Sequence, residues 1–98
     1  MKLKKGVKLT GLQPQILVAI IVADSVYQSK GVELIITSGN DSKHSVNSLH
    51  YKGLAVDLRT RYFTQDVAMA VTKEIAENLG NEFDVLFEKN HIHIEYDP

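Results

Sequence analysis

The sequence predicts an α+β domain: a mainly antiparallel sheet with helices packed on one face. Two observations carry this. Two stretches repeat apolar residues at helical spacing, and several short ones are β-branched or alternate polar with apolar. Read in order they run strand, helix, strand, strand, helix, strand, strand, which fits this class best.

Residues 3–9 alternate weakly between apolar and lysine and suit a short edge strand, because charge at an edge discourages pairing with other chains. Residues 14–29 read as a helix. Proline suits its first turn, Ile16, Ala19, Ile20, Ala23 and Tyr27 fall on one stripe, and Gly31 can end it. Residues 32–37, VELIIT, form a short β-branched run between Gly31 and Gly39 and read as a buried strand.

The segment 38–49 is a polar loop with Gly39-Asn40-Asp41-Ser42 as its turn chemistry. Long polar loops in a small domain are more often functional than accidental. Residues 54–58 form the next strand, with Ala55 and Asp57 on one face and Val56 and Leu58 on the other, so the acid points away from the core. Thr64 caps a helix over 65–79, where Val67, Ala70, Val71, Ile75 and Leu79 recur at helical spacing and Gly80 closes it. Residues 83–87 and 91–96 then pair as a hairpin turning near Lys89 and Asn90, with asparagine expected to take the left-handed position.

At 98 residues the chain is expected to be a single domain near the small end, where burial per residue is modest. A hydrophobic share of 44% and a charged share of 23% are ordinary for a globular protein. The formal net charge of −1 offers no bulk attraction for nucleic acid. Lys2, Lys4, Lys5 and Lys8 read as a solvated amino-terminal arm. The longest apolar run, Ile16 to Ala23, is too short to span a bilayer and too deep to be a secretory signal, so neither membrane partner nor signal peptide is expected. Without cysteine, any metal must be held by nitrogen and oxygen.

The residue types for that are present. His50 and Asp57 flank a stretch containing Gly53, which can fold a loop back onto a strand. In His91-Ile92-His93-Ile94-Glu95-Tyr96 the alternation puts both histidines and Glu95 on one face. Histidines and a carboxylate together can hold zinc and act on a water bound to it.

Ser48-Leu49-His50-Tyr51-Lys52-Gly53-Leu54-Ala55-Val56-Asp57 resembles the S-x-H-x-x-G-x-A-x-D signature of the zinc D-alanyl-D-alanine carboxypeptidases and L-alanyl-D-glutamate endopeptidases. His91-Ile92-His93 resembles the H-x-H that follows it in a wider group including lysostaphin-type endopeptidases and the hedgehog signalling domain. Thr37-Ser38-Gly39 resembles an upstream T-S-G segment, so the likeness runs over roughly residues 33 to 96. The resemblance implies the fold of that group, with His50, Asp57 and His93 as zinc ligands, His91 activating or orienting the catalytic water, and Ser48 supporting the ligands.

Two positions depart from the pattern. Members usually carry a carboxylate three residues before the last ligand histidine, and here that residue is Asn90. Many have an arginine shortly after T-S-G, and here Asn40 and Asp41 follow. Glu88, near the hairpin turn, is a second candidate for the base. His44 is a candidate for the substrate groove. Arg59, two residues after Asp57, either bonds that carboxylate or meets substrate. Glu95, farther along the histidine face, reads as a solvated rim residue.

The expected function is therefore zinc-dependent hydrolysis of a peptide bond in bacterial cell-wall peptide, with the peptidoglycan stem peptide as partner. The small format without a signal suits a bacteriophage or prophage lysis or tail protein, or a wall-remodelling enzyme exported by other means. The alternative is a zinc-binding recognition or structural module without turnover, for which Asn40 and Asn90 argue.

Overall fold

The computed structural model describes residues 1–39 and 53–98. Its elements are β1 (Lys2–Leu3), α1 (Pro14–Ser29), β2 (Ile35–Ser38), β3 (Ala55–Arg59), α2 (Gln65–Leu79), β4 (Phe83–Glu88) and β5 (His91–Tyr96). The five strands form one sheet in the order β1-β2-β3-β5-β4. Class and element order agree with the expectation, and both helices pack on the same face of the sheet. The sheet is mixed, because β1 runs parallel to β2 while the other three ladders are antiparallel.

β1 is far shorter than the expected 3–9. Gly6 at φ +89° and a turn closed by Val7 N–H donating to the Lys4 carbonyl bend the chain off the edge after two residues. β2 begins later than expected because the chain just after α1 is still tied to the helix end, the Val32 N–H donating to the Tyr27 carbonyl at 3.1 Å. Helix α1 has its expected limits, and its predicted stripe Ile16, Ala19, Ile20, Ala23 and Tyr27 is buried together with Val26.

Helix α2 starts where Thr64 accepts a hydrogen bond from the Val67 N–H and ends at Gly80, as its sequence indicates. Its buried stripe is rotated from the expected one. Ala68, Val71 and Ile75 face the core, whereas Val67 and Ala70 are exposed. Small residues tolerate either side of a helix, and packing against β4 and α1 selects the side. The β4–β5 hairpin turns at Lys89 and Asn90, but Lys89 takes the left-handed conformation, φ 49°, in place of the expected asparagine.

Strand alternation then sorts the faces. Ile36, Val56, Leu58, Ile92 and Ile94 are fully buried beneath the helices. Asp57, Arg59, His91, His93 and Glu95 occupy the opposite face, which neither helix covers.

Candidate functional site

The site is made by a register. In the β3–β5 ladder Asp57 lies opposite His93, Arg59 opposite His91 and Ala55 opposite Glu95. Directly opposed residues have Cβ atoms about 4.5–5.5 Å apart, close enough for a carboxylate to meet an imidazole. They do meet: Asp57 Oδ1 lies 2.8 Å from His93 Nδ1.

The far side of the ring is also held, His93 Nε2 lying 2.9 Å from Glu95 Oε1. With 15% of the His93 side chain and 21% of Glu95 exposed, water competes weakly for these bonds. Glu95 is thus a bonded partner of His93, which corrects its expected place as a solvated rim residue. The alternation that put it on the histidine face was the available signal; whether a side chain two residues along reaches back is decided by its rotamer.

The hydrogen bond to Asp57 favours the charged imidazolium and holds His93 above the ordinary histidine range. Burial pulls the other way, and the bond to Glu95 adds to the rise.

His91 sits one strand step away. Its Nε2 is 3.8 Å from Asp57 Oδ1, and its Nδ1 is 3.0 Å from Asn90 Oδ1. An amide oxygen only accepts, so in this arrangement Nδ1 carries the proton and Nε2 of the neutral ring presents its lone pair. Asn90, at the position where the resembled family has a carboxylate, therefore orients His91. Glu88 lies opposite His91 in the β4–β5 ladder and is exposed. Arg59 is half-buried on the same face, and its main-chain carbonyl accepts from the Tyr27 hydroxyl at 2.8 Å, which pins the end of β3 to α1.

The T-S-G segment ends β2 beside Asp57. Ser38 is registered opposite that acid across a ladder irregularity, and the Thr37 hydroxyl donates to the Asp57 carbonyl at 3.4 Å. Gly53 of the longer motif has φ +74°, and a Cβ there would run into the Gly11 carbonyl. Its own carbonyl accepts from the Gln13 N–H at 2.9 Å, so this glycine lets the chain entering β3 lie against the segment before α1. Three expected site residues, His44, Ser48 and His50, lie outside the described residues.

Asp57 and His93 suit a metal chemically. Carboxylate oxygen and imidazole nitrogen are donors that zinc takes, and two donors of one tetrahedral zinc sit roughly 3.3 Å apart. The 2.8 Å contact would have to open by only about half an ångström. A second group has oxygen donors alone: Asp84, Glu95 and Asp97 present carboxylate oxygens within 4.8 Å of one another and could hold a metal ion. Exposed acids gather in this way without one, and Asp84 and Asp97 are exposed. Sequence reading missed this triad because only the β4–β5 register, which sets Asp84 opposite Glu95, brings it together.

No family model matches this chain, and no curated protein matches it. Among the described residues no helix is long and apolar enough to cross a membrane.

Proposed function

We propose that this protein is a zinc-dependent peptidase acting on the peptide of the bacterial cell wall. The observation that carries the reading is the Asp57–His93 contact on the face of the sheet away from the helices, with Glu95 on the other ring nitrogen. A metal-binding imidazole commonly gives its second nitrogen to a carboxylate, which fixes ring and tautomer.

In this reading Asp57 and His93 would hold the metal, and the motif resemblance adds His50 as third ligand. Bound zinc supplies a Lewis acid that polarises the scissile carbonyl and makes water a stronger acid near neutral pH. Glu95 accepts a hydrogen bond from the Nε2–H of His93 and so fixes its ring and tautomer, leaving Nδ1 as the nitrogen that would be free for a metal. His91, held by Asn90, accepts through Nε2 the proton that the attacking water loses as its oxygen bonds the carbonyl carbon. That proton then passes to the leaving nitrogen as the carbon–nitrogen bond breaks. Such an enzyme fits a phage or prophage lysis protein.

Zinc analysis of the purified chain, together with release of new amino and carboxyl groups from purified peptidoglycan, tests the proposal. About one zinc per chain is expected, with hydrolysis that Asp57→Ala abolishes. Failure to take up zinc on titration would overturn it. A second reading, a zinc-binding module without turnover, is favoured by Asn90 standing in place of a carboxylate; stoichiometric zinc without hydrolysis would select it.

A further inference from the structure

Helix α1 carries more apolar surface than the core uses. One stripe, with Ile16, Ala19, Ile20, Ala23 and Tyr27, is buried in the core, yet the run from Ile16 to Ala23 is apolar without a break. The rest of that run points outward: Leu17, Val18 and Ile21 are 42%, 55% and 69% exposed. A helix that is apolar all round is ordinarily covered on every side. Helix α2, packed beside it, shows the usual alternative, with Asp66, Lys73 and Glu77 among its exposed residues.

Charge decides what suits the patch. Asp24 is the single charged residue of α1, and Lys30, just past its end, is paired with Glu74 at 3.3 Å. A helix that lies on a membrane flanks its apolar face with lysine or arginine, and α1 has neither there. A second copy of the same face fits, because a twofold contact brings a surface against itself and a neutral one meets no repulsion. Laid antiparallel about an axis near Ala19, two copies of α1 put Ile21 of one against Leu17 and Val18 of the other. Their Asp24 residues then stay about 15 Å apart along the helix axis. The three side chains expose roughly 300 Å² per copy, a size that on a monomer often marks an interaction site. A stable dimer of standard size hides about 800 Å² from each partner. Leu17, Val18 and Ile21 therefore make the core of a small interface with Gln15, Ser25 and Gln28 at its rim, and the pairing is weak.

We propose that the outer face of α1 is a homodimer interface, through which two copies of this chain associate reversibly and antiparallel on Leu17, Val18 and Ile21. Because α1 lies on the face of the sheet opposite Asp57, His91 and His93, pairing leaves both candidate centres open and directs them away from each other. Resting on the peptidase reading for its use, such a pair can engage a repetitive wall polymer at two points, where the first contact strengthens the second.

Sedimentation equilibrium of the full chain, from about 5 µM to 1 mM, tests the pairing, and a dissociation constant on the order of 10⁻⁵ to 10⁻³ M is expected. Ile21→Lys, at an exposed position outside the core, should weaken association about tenfold or more, whereas Met69→Lys, at a comparably open apolar position on α2, should not. The chain has no cysteine, so introduced thiols report the geometry. Leu17→Cys mixed with Ile21→Cys should give a disulfide-linked pair on mild oxidation, and Leu17→Cys mixed with Met69→Cys should not. A monomer throughout that range, an Ile21→Lys variant that associates like the native chain, or equal cross-linking in the two mixtures overturns the proposal. Capture of monomers by anionic vesicles in place of self-association does so too. Neither measurement involves zinc or substrate, so a failure of pairing leaves the peptidase reading standing, and a failure of zinc uptake leaves the pair.

Discussion

Removing the Glu95 carboxylate is the sharpest test of how the centre is held. Its oxygen lies 2.9 Å from His93 Nε2, in a site where little of either side chain meets water, so the bond is charge-assisted and poorly replaced by solvent. A carboxylate supporting a metal-bound imidazole is worth roughly 10- to 100-fold in metal affinity, or about 1.4–2.7 kcal/mol. Glu95→Gln keeps an oxygen acceptor without its charge and should fall near the lower figure; Glu95→Ala should approach the upper. The size depends on pH, because in the metal-free protein His93 is held above the ordinary histidine range and its proton competes with zinc. Loss of Glu95 weakens that competition while it weakens the ligand. The affinity defect should therefore be small at pH 6 and reach its full size near pH 8.5.

Metal-free stability carries the matching signature. A histidine whose folded pKa is raised contributes stability that is fully present below its unfolded value of about 6.5 and is lost as pH rises through the folded value. Melting of the metal-free chain should fall across that window, and less steeply for Glu95→Gln. Zinc titration by competition with a chelator, at both pH values, with Glu88→Gln as the control acid on the same face, provides the measurement. A Glu95→Gln affinity within twofold of the native protein at pH 8.5, or a defect that grows toward pH 6, would refute the reasoning.

The remaining expectations concern the neighbours. His91→Ala should retain zinc and lose on the order of 10² to 10⁴ in turnover, the usual size of a general acid–base contribution, whereas Glu88→Gln should change little; single-turnover kinetics with metal analysis checks both. Gly53→Ala should destabilise by about 2–4 kcal/mol, from a left-handed φ and a Cβ driven into the Gly11 carbonyl, measured by urea unfolding. Ile94→Ala should cost about 2–5 kcal/mol, since its side chain is fully buried in the central core, and a chain stopped after Ile94 should not fold by circular dichroism.

How much of this was legible in the chain follows from the range of the forces involved. Helix limits depend on residues within a turn of each other, and Pro14, Thr64 and Gly80 mark them locally. Period-two alternation is local too, so placing Asp57, His91 and His93 on a face away from the core needed no tertiary information. The likeness of residues 48–57 to a zinc motif singled out Asp57 in the same way. What a sequence does not carry is which strands become neighbours and in what register, because those pairings join residues far apart in the chain. Asp57 meets His93 across 36 positions, Glu95 turns back onto the same ring, and Lys4 from one end of the chain faces Arg59 and Arg61 across one cleft. The left-handed turn residue also fell to Lys89 and not to Asn90, and α2 buried Ala68 in place of Val67. In each case local preferences differ by a few tenths of a kcal/mol to about one, and the packing of the whole sheet outweighs them.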